Sequence, residues 1–395
     1  MGRAVGVAVA VVAAVLLLAV AAWRLARVPV GPSATVAVRD ALGAGSTEGF
    51  ARALSPRAFV FPADHGPHQD FRTEWWYYTG NLRDGTGRHF GFQLTFFRFA
   101  LAPGMPARAS GWASRQAYMA HFALTDTVGR RFTAASRSSR QALGLAGAEA
   151  EPFKVWVEDW SAEGVAGDAT SVRVRAADGD VAIDLTLESA KPVVPQGERG
   201  LDRKSSEPGN ASFYYSLTRM STTGRVAIGG LSFDVTGLAW MDREWSTSAL
   251  GPDLVGWDWM ALQLDDGQEL MLYQLRHADG RADRFSGGGL IAADASRRPL
   301  AFGDFHIDVL DRWTSPRDAT RYPSRWRVVV PLEALELEIV PVLADQELAL
   351  SVRYWEGAVR VSGRIAGRPA VGVGYVELVG YASAANTRKG ATISW

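Results

Sequence analysis

Hydrophobic residues along this chain recur mainly at every second position. HFGFQLTFFRFAL (89–101), YMAHFALTD (118–126), SVRVRA (171–176), VAIDLTLES (181–189) and AIGGLSFDVTGLAWM (227–241) alternate apolar with polar or small residues. WMALQLDD, QELMLYQLR, RWRVVVPL, LELEIVPVL, GAVRVSGRI and VGYVELVGY carry the pattern towards the C-terminus. A period of two belongs to a strand, whose successive side chains point to opposite faces. Turn residues separate the runs: DGTG (84–87), DDG (265–267), Asp279-Gly280 and AGR (366–368). Short alternating strands with Gly/Asp turns predict an all-β barrel or sandwich, one face of each strand buried and the other solvated. Helix is expected only at the N-terminus and in short connectors.

The pattern breaks at the start. Ala4 to Trp23 is a run of 20 apolar residues with Arg3 before it and Arg24 and Arg27 after it. That length spans a bilayer core as a helix. Ala19-Val20-Ala21 fits a signal cleavage site. Residues 1–27 are therefore read as a signal peptide or a membrane anchor, and 28–58 as a small, polar stalk. A weak internal repeat follows. WWYYTGNLRDGTGRHFGFQLTFFR (75–98) lies over GWDWMALQLDDGQELMLYQLR (256–276), each with an aromatic pair, a strand, a turn, a strand and an arginine. It predicts two related domains, 59–230 and 231–395. The turn-rich segment 191–210 is either the link between them or a loop over a barrel mouth.

Composition narrows the function. Lys+Arg and Asp+Glu are both 42, so no basic surplus points to nucleic acid. Cysteine is absent, which excludes disulfides, thiolate metal sites and a cysteine nucleophile. No G-x-S-x-G, H-E-x-x-H, P-loop or G-x-G-x-x-G context occurs, so no cofactor is expected. His65 and His68, beside Asp64 and Asp70, are the one histidine pair close in sequence, and they are read as surface loop residues. Metal is not expected.

Acids set among tryptophans carry the candidate chemistry. Glu74 precedes Trp75, Trp76, Tyr77 and Tyr78; Asp242, Arg243 and Glu244 lie between Trp240 and Trp245; Asp258 lies between Trp257 and Trp259. A carboxyl in an apolar wall is desolvated, so its pKa rises and it donates a proton near neutrality. Aromatic faces hold apolar ligands and stabilise a developing carbocation. Alternation places Trp257 and Trp259 on one face and Asp258 on the other, and Trp240, Asp242 and Glu244 on a shared face. Asp242, Glu244 and Glu74 are the candidate catalytic acids. Trp75, Trp76, Tyr78, Trp240, Trp245, Trp257 and Trp259 are the candidate ligand wall. The competing reading makes the acids structural, with a buried Arg243 as an ion-pair partner.

FPADHGPHQDFRTEWWYYTGNL, YMAHFALTD, GNASFYYSLTR, WMDREWSTS, GWDWMALQL and YWEGAVRVSG resemble a family of lipocalin-like bacterial proteins grouped with the attachment protein AttH. It is also called the carotenoid 1,2-hydratase N-terminal lipocalin-like family, and its members are often labelled secreted hydrolases. The resemblance covers roughly 58–382. It implies two calycin-like β-barrels packed together. From the repeat, EWW and REW are read as equivalent strand starts in those two barrels. It also implies enclosure of a large hydrophobic molecule; a related fungal group promotes pericyclic cyclisations in the same architecture.

Three functions are expected to compete. One is an exported, envelope-associated protein that binds a lipid or isoprenoid. Another is a hydro-lyase adding water to an isoprenoid or carotenoid double bond, with Asp242 or Glu244 as proton donor, or else a secreted hydrolase. A third is a structural or adhesion partner without a small ligand. The partners expected are a hydrophobic small molecule and, through residues 1–27, a membrane.

Overall fold

The computed structural model of the protein describes residues 47–104, 114–165, 168–247, 250–251 and 253–382. The apolar run Ala4–Trp23 and residues 28–46 of the expected stalk lie outside them. Among the described residues no helix is long and apolar enough to cross a membrane. Helical structure there is confined to the short turns Ala63–His65 and Pro331–Glu333.

The alternating runs form two antiparallel sheets, one of 13 strands and one of 10. The first curls into a nearly closed barrel and the second into a half-barrel. In the first sheet the strand Thr73–Asp84 pairs with its hairpin partner His89–Ala100 on one side and with Leu231–Ser246 on the other. In the second, Leu254–Leu264 sits likewise between its hairpin partner Glu269–His277 and Arg368–Val379. The two repeat hairpins thus hold the same place in their sheets. Beyond each closing strand comes the one before it in sequence, Ala211–Ile228 and Arg353–Ile365.

Three expectations change. The strand Leu231–Ser246 belongs to the first sheet, so the passage between sheets falls at 247–253 and not at 231. The last part of the expected stalk is folded: Ala53 is buried, and Arg57 pairs with Asp64 at 2.6 Å. Segment 191–210 is not the interdomain link. It adds two short strands to Ala211–Ile228, and Lys191 reaches Glu269 of the second sheet at 2.7 Å.

The two EW motifs are not equivalent starts of two barrels. They are neighbours on adjacent antiparallel strands, with Glu74 opposite Trp245 and Trp75 opposite Glu244. This register gathers charge inside the first barrel. Glu74 is fully buried and ion-paired with Arg98 and Arg243, and it accepts the His68 backbone N–H at 3.0 Å. Burial alone would raise its pKa, but the two guanidinium groups outweigh it and hold the carboxyl well below the usual range. Arg243 lies 4.0 Å over the Trp76 ring, and His68 stacks on Trp245 at 3.8 Å.

Burial also differs from expectation. Every residue of Gln116–Asp126 is buried, as are nearly all of Thr73–Asp84 and His89–Ala100. One set of alternating positions, with Trp76, Tyr78, Phe90, Phe92, Leu94 and Phe96, fills the barrel. The other set meets the second sheet instead of water. There Tyr77 packs edge-on to Trp259 at 5.2 Å, and Asn81 donates to the Gly374 carbonyl at 3.0 Å. Aromatic residues on both faces of one strand are the reason: neither face can be left to solvent cheaply.

Close approach of the sheets depends on Gly91, where an added Cβ would stand 2.7 Å from Ala358 Cβ and 3.0 Å from the Tyr375 hydroxyl. Gly91→Val is expected to lower the melting temperature, a loss of about 1–3 kcal/mol from overpacking, whereas Gly85→Ala, with open space around it, leaves it unchanged. Glu74→Ala leaves two buried guanidinium groups unpaired and is expected to cost about 3–5 kcal/mol in urea denaturation. Because the folded carboxyl lies below the ordinary 4.5, its contribution is full above that pH and is lost as pH falls towards the folded value. The gap between Glu74→Ala and the unaltered chain should therefore narrow in acid.

Candidate functional site

A cleft opens where the two sheets meet. The first sheet contributes Trp75 and Tyr77, Thr95 and Phe97, Met119 and His121, and Asp242, Glu244 and Ser246. Within each strand these are alternate positions, facing away from the barrel core. The second sheet contributes Trp257 and Trp259, Tyr273 and Leu275, Tyr354, Glu377 and Val379. The walls are mostly apolar, and a few carboxyl groups interrupt them.

Asp242 is the best-held of these acids. Its Oδ1 accepts hydrogen bonds from the Ser216 hydroxyl at 2.5 Å and Trp240 Nε1 at 2.7 Å. Its Oδ2 accepts from the Tyr214 hydroxyl at 2.7 Å, and that hydroxyl accepts from Trp259 Nε1 at 3.3 Å. Burial pushes its pKa up to about 7; the three donors oppose the rise and nearby Glu244 adds to it. Glu377 is pushed up to about 7 by burial as well, against a 2.7 Å hydrogen bond from Trp257 Nε1. Glu356, directly across from Glu377 on the neighbouring strand, is driven well above the ordinary range by burial and by that second carboxyl.

Glu244 differs in having a cation. Burial raises its pKa, while Lys204 at 3.3 Å works the other way. Burial disfavours charge on Lys204, but Asp202 and Glu244 outweigh it and raise the amine pKa. Tyr273 donates to Asp202 at 2.6 Å and completes this polar end of the cleft.

The cleft gathers five of the ten residues singled out from the sequence. Asp242, Glu244, Trp75, Trp257 and Trp259 line it. Trp240 stands behind the lining and orients Asp242. Glu74, Trp76, Tyr78 and Trp245 are buried with the first barrel's core side chains, and none of the four lines the cleft. The reason is parity: they occupy the inward-facing set of positions on strands whose other set faces the second sheet. Asp258 does turn away from Trp257 and Trp259, but into protein, where Arg276 at 2.8 Å and the Tyr381 hydroxyl at 2.9 Å hold it. His65 and His68 are not surface residues. His65 Nδ1 lies 2.6 Å from the Tyr215 hydroxyl, and His68 bridges Asp64 and Glu74.

Sequence reasoning missed Glu377, Glu356, His121, Lys204 and Tyr214. The two glutamates carried one readable signal, a carboxyl inside the apolar runs YWEGAV and GYVEL. The others occupy ordinary polar positions in the alternation, and only the second sheet makes them part of a site.

The AttH-like family profile matches residues 52–381. AttH (NE1406) of Nitrosomonas europaea shares 34% identity over 84% of this chain and 100% of its own, with a TM-score of 0.75. Kievitone hydratase from Nectria haematococca has the same fold at 14% identity, covering 85% of this chain and 98% of that one, with a TM-score of 0.63. CghA, solved with Sch210972, matches at 15% identity over 86% of this chain and 98% of its own, with a TM-score of 0.51. No curated protein matches the chain. Two sheets of like strand order, the profile spanning both, and a full-length relative at one-third identity lead to one conclusion: the chain belongs to the AttH-like family.

Proposed function

We propose that the cleft binds a small, largely apolar molecule and adds water across one of its carbon–carbon double bonds, with Asp242 as the proton donor. The observation that carries this reading is the Asp242 carboxyl: buried, oriented by three donors, set in an aromatic wall and titrating near neutrality. A kievitone hydratase with the same fold supports it as an analogy of architecture.

The step balances simply. Protonated Asp242 gives its proton to one alkene carbon, and the π electrons form the new C–H bond. The other carbon becomes a cation, which the faces of Trp257 and Trp259 stabilise. Water attacks that cation, and the proton it sheds returns to the Asp242 carboxylate, with the Tyr214 hydroxyl 2.7 Å away to relay it. Glu377 and Glu244 are the further carboxyl groups able to orient the water.

Asp242→Asn tests the proposal. Incubated with isoprenoid alkenes and followed by mass spectrometry for a gain of one water, the unaltered chain should turn over and the variant should not. Both should quench alike in tryptophan fluorescence. The rate should fall about tenfold per pH unit above about 7, where the acid is lost. Ligand binding with no gain of water would make the protein a carrier and overturn the enzymatic reading. Linkage supplies a second readout. A carboxyl raised from 3.8 to about 7 loses stability for the fold as pH rises between those values. Asp242→Asn should therefore gain in melting temperature, relative to the unaltered chain, from about pH 4 to about pH 7 and level off above.

The same proposal places the protein in the cell envelope, on the strength of the apolar run Ala4–Trp23. Alkaline phosphatase fused after residue 58 should be active in intact cells; an inactive, stable fusion would sink the idea.

A further inference from the structure

One cleft residue has no role in the chemistry above. His121 is fully buried, and its ring is clamped edge-on by Phe97 at 5.4 Å and along its face by Tyr354 at 5.6 Å. Its Nδ1 meets the Tyr354 hydroxyl at 2.8 Å. Its Nε2 has no hydrogen-bond partner among the described residues, although the residue lines the cleft. A buried polar atom left without a partner is costly to the fold. Such an atom in a cleft wall is satisfied when a ligand supplies the partner.

The sheet register says how far His121 is from Asp242 along the sheet. Asp242 stands opposite Tyr77, Tyr77 opposite Thr95, and Thr95 opposite His121. These four residues form one row across four neighbouring strands, all facing the cleft. Three strand spacings of roughly 4.8 Å separate Asp242 from His121, about 14 Å along the sheet. Tyr77 and Thr95 stand between them in the row; Trp75, Phe97 and Met119 form the next row along, and the second sheet adds Trp257 and Glu377 to the lining.

We propose that His121 is the second polar pole of the site, and that its Nε2–H donates a hydrogen bond to an oxygen of an elongated ligand whose double bond lies at Asp242. The phenol is the better donor of the His121–Tyr354 pair and the imidazole nitrogen the better acceptor. This assigns the Tyr354 proton to the contact with Nδ1 and leaves the ring proton on Nε2. Burial keeps the ring neutral, so it offers one directed donor and no full charge. The matching ligand group is a carbonyl or hydroxyl oxygen, not a carboxylate or phosphate. Extended chains advance about 1.2 Å per bond. The ligand thus carries its oxygen roughly ten bonds from the reacting alkene, as an oxygenated isoprenoid does and a plain hydrocarbon does not. This inference deepens the proposed function and rests on the cleft being the ligand site.

Two probes separate the claims: geranylacetone, and the hydrocarbon in which methylene replaces its carbonyl oxygen. Binding is followed by quenching of the cleft tryptophans in the full chain. The unaltered protein should bind the ketone about tenfold more tightly, the worth of one buried hydrogen bond. His121→Phe should bind both probes alike, with hydrocarbon affinity unchanged. His121→Gln, which keeps an N–H donor, should restore part of the preference. Asp242→Asn should keep the whole preference while losing turnover. Equal binding of the two probes by the unaltered chain, or a ketone preference that survives in His121→Phe, overturns the polar pole and leaves the cleft as a ligand site. If neither probe binds the unaltered chain, the cleft reading fails and this inference falls with it. Matching melting curves for His121→Gln and the unaltered chain guard against misfolding as the cause.

Discussion

Burial on both faces of the same strands is the constraint on which the rest of this structure depends. A strand sends successive side chains to opposite sides. In Thr73–Asp84, His89–Ala100 and Gln116–Asp126 one side is the barrel core and the other meets the second sheet, so these strands have almost no solvated face. Each polar residue there is therefore costly unless it is partnered. Glu74 is partnered by Arg98 and Arg243 inside the barrel, and Asp242 by Ser216, Trp240 and Tyr214 outside it.

Those two acids show how partner type decides chemistry. Both are buried among tryptophans. Cations beside Glu74 hold it ionised and make it a structural anchor. Neutral donors beside Asp242 orient it without supplying a full charge, so desolvation prevails and the proton stays available near neutrality. The same contrast recurs within the cleft, where Lys204 neutralises Glu244 while Glu377 accepts the indole N–H of Trp257. The pairing of the sheets thus produces a mostly apolar cleft into which Asp242, Glu244, Glu377 and His121 are set.

Much of this was legible from residue patterns. Alternation identified the strands, the Gly/Asp turns separated them, and the hairpins 75–98 and 256–276 revealed the repeat that the strand order displays. Parity alone placed Asp242 and Glu244 on one face with Trp240, and Asp258 opposite Trp257 and Trp259. The errors share one cause. Parity gives the side of a strand on which a residue lies, but not what covers that side. Glu74 and Trp75 are consecutive, and either could have faced the ligand. His121 lies inside an ordinary alternating run, and only the approach of Tyr354 from the second sheet makes it a cleft residue.

Local chemistry in the chain determined which segments are strands, where they turn, and which residues share a face, because φ/ψ preference and hydrophobic periodicity act over a few neighbouring residues. The tertiary structure alone decided that EWW meets REW across two strands, that Arg243 answers Glu74, and that Asp242 and His121 stand at the two ends of one row. Those facts depend on pairings between segments more than a hundred residues apart. Register between strands is set by the fit of whole faces, and no short stretch of sequence contains it.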